Sequence, residues 1–247
     1  MLENEYLIIK LNGQVVDKYK WLDGRYIEVN NNKIRSKFDE ITPKDEYQQL
    51  ALDSLQSNQL TVLRGKPGSG KSYLGLGYLY SLFEKGTISK IIIFCNTVAT
   101  KDSCKLGFYP GSKDEKLLDS QIGNFLIGKF GGDRGYVEKL VYDGHIMLVP
   151  IADCRGMDTT GMNAGIYITE AQNATKDMMQ LVLQRIGEDS KVVIEGDDKT
   201  QVDMSVYNGA NNGLRRLSEV FRGENYYGEV TLMNCHRSRI ANKAEEM

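Results

Sequence analysis

The chain of 247 residues has few cysteines and histidines, no long apolar run and no excess of one charge. Its four cysteines, Cys95, Cys104, Cys154 and Cys235, stand far apart and form no C-x-x-C pair. His145 and His236 are the two histidines. A zinc site needs paired short ligand spacings, which this set does not supply. The cysteines therefore read as reduced thiols in or near the core. No apolar stretch approaches the roughly 18 residues of a membrane-spanning helix. The opening Met1-Leu2-Glu3-Asn4-Glu5 is acidic and lacks the basic and apolar regions of a signal peptide. A cytoplasmic protein with no membrane partner is expected. Lysine and arginine total 31 against 33 aspartate and glutamate. This balance neither demands nor excludes a nucleic-acid partner, because a basic groove can sit on a neutral chain. No internal repeat or low-complexity tract is present.

The most informative segment is Gly65-Lys66-Pro67-Gly68-Ser69-Gly70-Lys71-Ser72, a complete G-x-x-x-x-G-K-S/T phosphate-binding loop. The apolar run Leu60-Thr61-Val62-Leu63 precedes it, and a helix-compatible stretch from Tyr73 to Phe83 follows. Glycines let backbone wrap closely around an anion. The N–H groups of the loop and of the helix N-terminus then face the phosphates. Lys71 is placed to reach the β- and γ-phosphates, and the Ser72 hydroxyl to ligate Mg²⁺. The expected nucleotide-binding set is Gly65, Lys66, Pro67, Gly68, Ser69, Gly70, Lys71, Ser72 and Tyr73.

Residues 1–40 differ in pattern from 41–247. Tyr6–Leu11 and Arg25–Val29 look like short strands, with turns at Asn12-Gly13, Asp23-Gly24 and Asn30-Asn31-Asn32. A small N-terminal β segment is expected, too short to carry much core alone. From Thr42 the pattern changes. Thr42 reads as an N-cap with Pro43 at the first helical position, opening a helix to about Gln56. Strands follow at 60–64, 91–95, 146–149, 166–169, 192–195 and 229–232, and helices at 71–85, 174–185, 212–221 and 237–246. Segment 100–135 reads as a loop with one helix. Apolar strands alternating with helices imply an α/β fold: a mostly parallel, RecA-like P-loop NTPase sheet with helices on both faces. Ligands in such sheets bind at the carboxyl ends of strands.

Hydrolysis also needs a water activator and groups that sense the γ-phosphate. Ile166-Tyr167-Ile168-Thr169-Glu170-Ala171-Gln172 is an apolar strand ending in a carboxylate. Glu170 can orient or deprotonate the attacking water from there. Val192-Val193-Ile194-Glu195-Gly196-Asp197 ends a second strand, with Gln201 beyond it as a γ-phosphate contact. Leu232 to Arg239 ends a third and carries Arg237, whose guanidinium can stabilise charge on a transferring phosphoryl group.

Several segments occur in a telling order: the phosphate loop, Lys105-Leu106-Gly107-Phe108-Tyr109-Pro110-Gly111, Arg155-Gly156, Glu170-Ala171-Gln172-Asn173, Arg185-Ile186-Gly187, then Gly196-Asp197 with Thr200-Gln201-Val202-Asp203. Together they resemble the PhoH family of P-loop ATPases across about residues 41–247. The closing His236-Arg237-Ser238-Arg239-Ile240-Ala241 is similar to an arginine motif of superfamily 1 helicases, to whose first motor domain PhoH is related. The resemblance implies ATP and Mg²⁺ as cofactors and single-stranded RNA or DNA as a partner. Pro43 and Gln48 match an upstream element that reads the adenine, so Gln48 is the expected base contact. Lys71, Glu170, Gln201 and Arg237 take the catalytic roles, and Arg155 and Arg185 match family positions. The resemblance also implies a homo-oligomer, with a hexameric ring as the candidate form and an arginine contributed in trans. In longer relatives a PIN nuclease domain precedes a short β segment. Residues 1–40 resemble that segment, so a stand-alone form with a separate nuclease partner is expected.

Two departures from the family pattern matter. Thr169 stands where the family has an aspartate that holds a Mg²⁺-bound water. A hydroxyl still hydrogen-bonds but adds no negative charge, so Thr169 is expected to touch the metal only through water. Weaker Mg²⁺ dependence or slower turnover follows as an expectation. Asn96-Thr97 replaces an Arg-Pro, which weakens the case for a family-like nucleic-acid contact. A slow or inactive ATP-binding switch or scaffold is the alternative to an ATPase. A P-loop kinase would need an acceptor pocket and a lid, whereas the strand-end residues fit water activation.

Overall fold

The computed structural model describes residues 1–30, 33–36, 40–95, 121–129, 132–197, 199, 202, 205–238 and 243. Three N-terminal strands, β1 (Tyr6–Leu11), β2 (Gln14–Leu22) and β3 (Arg25–Glu28), form an antiparallel sheet in the order β1-β2-β3. Asn12-Gly13 and Asp23-Gly24 close its two hairpins with positive φ at both central residues, the geometry that matches strand twist in a two-residue loop. The charged β2, QVVDKYKWL, adds a strand between the two expected from the sequence. A short hairpin, β4 (Ile34–Arg35) and β5 (Glu40–Ile41), leads into α1 (Glu46–Ser57).

The main body is a six-stranded sheet in the order β11-β6-β10-β9-β7-β8. Its strands are β6 (Leu60–Gly65), β7 (Lys90–Cys95), β8 (Ile146–Pro150), β9 (Ala164–Ile168), β10 (Lys191–Gly196) and β11 (Tyr227–Leu232), and every neighbouring pair is parallel. Side chains alternate between its two faces. Leu63, Ile91, Ile93, Tyr167 and Val193 face one core with α1 and α2 (Lys71–Glu84), together with α3 (Gln121–Lys129) and α4 (Arg134–Tyr142). Val62, Ile92, Phe94, Ile168 and Ile194 face the other, with α5 (Lys176–Leu183) and α6 (Gly213–Phe221). Burial on both faces explains why these strands read as continuous apolar runs. A fully buried Leu or Ile contributes roughly 1.5–3 kcal/mol, so the two cores carry most of the stability.

Three sequence expectations are corrected. Helix α1 starts at Glu46, not at Pro43. Asp45 is its N-cap, because the Asp45 carboxylate accepts the Gln48 N–H at 2.8 Å while Thr42 turns to Glu40. The described part of 100–135 holds helix α3, and a further helix not read from the sequence, α4, runs over Arg134–Tyr142 behind its cap Asp133. Met1 to Glu28 carry three strands where two were read. The helix expected over 237–246 falls almost wholly outside the described residues, as do Asn96-Thr97 and Lys105–Gly111. No helix among the described residues is long and apolar enough to cross a membrane.

The N-terminal sheet docks on α1. Lys20 is buried on Asp53 at 3.0 Å and donates to Ser57 at 2.9 Å, and the Tyr6 hydroxyl donates to Asp53 at 2.8 Å. The β4-β5 hairpin sends Ile34 and Ile41 into the core beneath α2.

Candidate nucleotide site

Parallel pairing aligns the carboxyl ends of the central strands. Leu232 stands beside Gly65, Gly196 beside Arg64 and Ile194 beside Ile168. The phosphate loop leaves the end of β6 and enters α2, so the loop lies among the residues that follow β9, β10 and β11. Within it the Ser69 N–H donates to the Lys66 carbonyl at 3.2 Å, and α2 begins at Gly70 with no side-chain cap. The first N–H groups of α2 therefore remain for an anion, and the helix dipole favours negative charge there. Lys71 folds back on its own loop and donates to the Gly65 carbonyl at 2.6 Å and to that of Lys66 at 3.2 Å. Its ammonium thus sits at the loop's concave side. Lys66 is exposed and Tyr73 half-buried against the adjoining core.

Gln48 is buried under the loop. Its amide oxygen accepts the Lys44 N–H and its amide nitrogen donates to the Ser69 carbonyl, both at 2.9 Å. The structure thus places the residue expected at the adenine as a brace between α1 and the loop. The segment after β11 closes the loop's other flank. The His236 N–H donates to the Gly68 carbonyl at 2.9 Å, and the Cys235 thiol donates to Pro67 at 3.3 Å. The His236 ring meets Asp45 at 2.6 Å, joining this segment to the cap of α1. Arg237 crosses Gly68 so closely that a Cβ there would lie 2.3 Å from its Cγ. Gly68 also holds φ at 80°, a conformation that L side chains disfavour.

Glu170 stands two residues after the end of β9 and is exposed, with φ at 51° in the left-handed region. Strain of this kind in a non-glycine residue persists where the surroundings impose it, often at functional sites. Buried Gln172 donates to the Glu170 carboxylate at 2.5 Å and accepts the Asp197 N–H at 3.0 Å. It thereby ties the ends of β9 and β10 together. Gln201 lies outside the described residues. Burial raises the Cys154 thiol above its ordinary value, and the charges of Arg185 and Arg155 oppose that rise.

One residue that the sequence reading passed over stands at the centre of the site. Glu195, the penultimate residue of β10, is 4% exposed. Ser72 donates to its two carboxylate oxygens at 2.9 and 3.0 Å, and the Thr169 hydroxyl donates to one of them at 3.0 Å. Burial pushes the Glu195 carboxyl above its ordinary range, opposed by hydrogen bonds from its neighbours and by the charge of Lys71. Burial, reinforced by the Glu195 charge, also raises the Tyr167 hydroxyl well above its ordinary value. That hydroxyl is buried beside the Glu195 carboxylate. A sequence signal did exist: a carboxylate ending the run Val192-Val193-Ile194 in a strand buried on both faces has to be paired.

A parallel sheet with a phosphate loop between β6 and α2, opening among the ends of its central strands, defines a P-loop NTPase fold. The chain belongs to the PhoH family, a family of P-loop ATPases: the family described as PhoH-like protein matches residues 40–247. It is 30% identical over 206 residues to the PhoH-like protein of Mycobacterium bovis, covering 82% of this chain and 56% of that one. It is 32% identical over 215 residues to the protein PhoH2 of Bacillus subtilis, covering 84% and 47%. A PhoH-like protein of Bacillus subtilis is 33% identical over 172 residues, covering 69% and 51%. The chain thus spans about half the length of these relatives.

Proposed function

We propose that this chain binds ATP with Mg²⁺ and hydrolyses it, in the cytoplasm, coupled to single-stranded nucleic acid and to RNA first. The observation that carries the reading is the convergence of Lys71 and Ser72, at the start of α2, with strand-end groups from β9, β10 and β11. The donors around Ser72 suit Mg²⁺, since a hydroxyl lies within 3.0 Å of a buried carboxylate and all are hard oxygens. Ser72 and the oxygens around it would hold the ion, which would supply charge neutralisation at the phosphates.

Lys71 trades its two loop carbonyls for phosphate oxygens. The loop N–H groups and the α2 N-terminus hold the polyphosphate in line. Glu170, held in place by its backbone and by Gln172, accepts a proton from the attacking water. Arg237, lying across Gly68, stabilises charge on the transferring group. Gln201 has the γ-phosphate role by resemblance. The nucleic-acid partner, the ring-shaped oligomer with an arginine in trans and a separate nuclease partner are proposed on family kinship. A second reading, a slow ATP-binding switch, is favoured by one observation, the uncharged Thr169 at the end of β9.

Steady-state ATP hydrolysis, with and without single-stranded RNA or DNA, decides between them. Lys71→Ala and Glu170→Gln should each abolish turnover, and RNA should raise it in the wild type. Measurable ATP binding with no turnover in the wild type would sink the ATPase in favour of the switch.

A further inference from the structure

We propose that Glu195 is the metal-holding carboxylate of this site, supplying from β10 the charge that Thr169 does not supply from β9. The inference rests on the ATPase reading and deepens it. Strands β9 and β10 are neighbours, and Ile168 pairs with Ile194, so the next residues, 169 and 195, stand side by side at the carboxyl ends of the two strands. A glutamate has one methylene more than an aspartate, which gives a carboxylate starting on β10 the reach to the Ser72 hydroxyl. That reach is used: Ser72 meets both Glu195 oxygens, and Thr169 donates to one of them. Thr169 is therefore a positioning residue that orients the acid.

A further observation points to a cation. Glu195 is a buried carboxylate whose hydrogen-bond donors are hydroxyls, and burying such a charge is unfavourable unless it is compensated. Among the described residues no three or more His, Cys, Asp or Glu gather into a metal cage. One carboxylate and one hydroxyl, completed by phosphate oxygens and water, is the arrangement Mg²⁺ takes at nucleotides. With the charge relocated, Mg²⁺ dependence should be that of an ordinary P-loop enzyme, replacing the weaker dependence expected from Thr169 alone. Adding Thr169→Asp to the wild type sets a second carboxylate against Glu195, and like charges so close cannot both ionise readily.

The test separates nucleotide binding from metal binding. Binding of a non-hydrolysable ATP analogue is measured in EDTA, and Mn²⁺ binding to the protein–analogue complex is read by electron paramagnetic resonance. Glu195→Gln should bind the analogue in EDTA at least as well as wild type, while its Mn²⁺ affinity falls by about tenfold or more. The exchange variant Thr169→Asp/Glu195→Thr, which returns the carboxylate to β9, should recover wild-type Mn²⁺ affinity. Unchanged Mn²⁺ affinity in Glu195→Gln overturns the proposal. So does an exchange variant that binds the analogue but holds Mn²⁺ no better than Glu195→Gln. Should Glu195→Gln fail to fold, the exchange variant alone decides: if it binds the analogue but holds Mn²⁺ about tenfold or more weakly than wild type, the proposal is overturned. A wild type that binds no analogue under either condition rejects the ATPase reading, and the inference falls with it; that pattern is distinct from a selective loss of metal.

Discussion

Glu170 combines two properties that are hard to reconcile with a role in stability. Its φ of 51° is strained for a residue with a Cβ, and its side chain is exposed at a strand end. A left-handed conformation costs an L-residue roughly 1–2 kcal/mol, and glycine escapes that cost. Part of this gain is offset by glycine's greater freedom in the unfolded chain and by the lost hydrogen bond to Gln172. Glu170→Gly should therefore raise stability by roughly 0.5 kcal/mol in urea unfolding. The same variant should lose ATP turnover. A destabilisation of about 1 kcal/mol or more would mean that the backbone here is not strained. The backbone is held in an unfavourable state, on this account, to aim one carboxylate.

At the scale of elements, the sequence made the sheet readable because each central strand is an apolar run and each helix carries its own periodicity. Strands β6 to β11 fall within a residue or two of their expected places. What the sequence did not disclose depends on partners distant in the chain. The charged β2 shows no clean alternation, since Lys18 and Lys20 find partners, Gln49 and Asp53 among them, on the distant α1. Glu195 reads as one of several strand-end acids until β9 and α2 bring Thr169 and Ser72 to it. The bond from the Gln48 amide to the loop likewise joins residues 21 positions apart, and the sequence does not show it. The start of α1 reads as Thr42 before a proline, whereas the cap is Asp45, which bonds the Gln48 N–H and meets the His236 ring. Asp45→Ala should cost about 1 kcal/mol, whereas Thr42→Ala should stay within about 0.5 kcal/mol of wild type. Asp45→Ala should also weaken ATP binding, because its cap shares an anchor with the loop. Equal effects of the two substitutions in thermal unfolding would return the cap to Thr42.

At the scale of the whole molecule, the N-terminal sheet is fastened to the body by one buried polar cluster and several exposed pairs. Lys20, Asp53, Tyr6 and Ser57 form the cluster. Lys10 with Glu46 is an exposed pair at 3.0 Å. Removing one partner from a buried ion pair costs about 3–5 kcal/mol, because the other charge is stranded, while an exposed pair contributes roughly 0–1 kcal/mol. Asp53→Ala should therefore destabilise the protein by about 3 kcal/mol, and Lys10→Ala by under about 1 kcal/mol. The chain's single tryptophan, Trp21, lies in β2 against Tyr26, so its fluorescence reports the N-terminal sheet. Far-ultraviolet circular dichroism reports mainly the larger α/β body. In wild type the two signals should change together in urea, since the cluster couples the sheet to α1, and α1 braces the phosphate loop through Gln48. In Asp53→Ala the tryptophan transition should move to lower urea than the dichroism transition. Coincident transitions in that variant, or equal costs for the two substitutions, would show that the sheet is held by its apolar contacts instead of by this cluster.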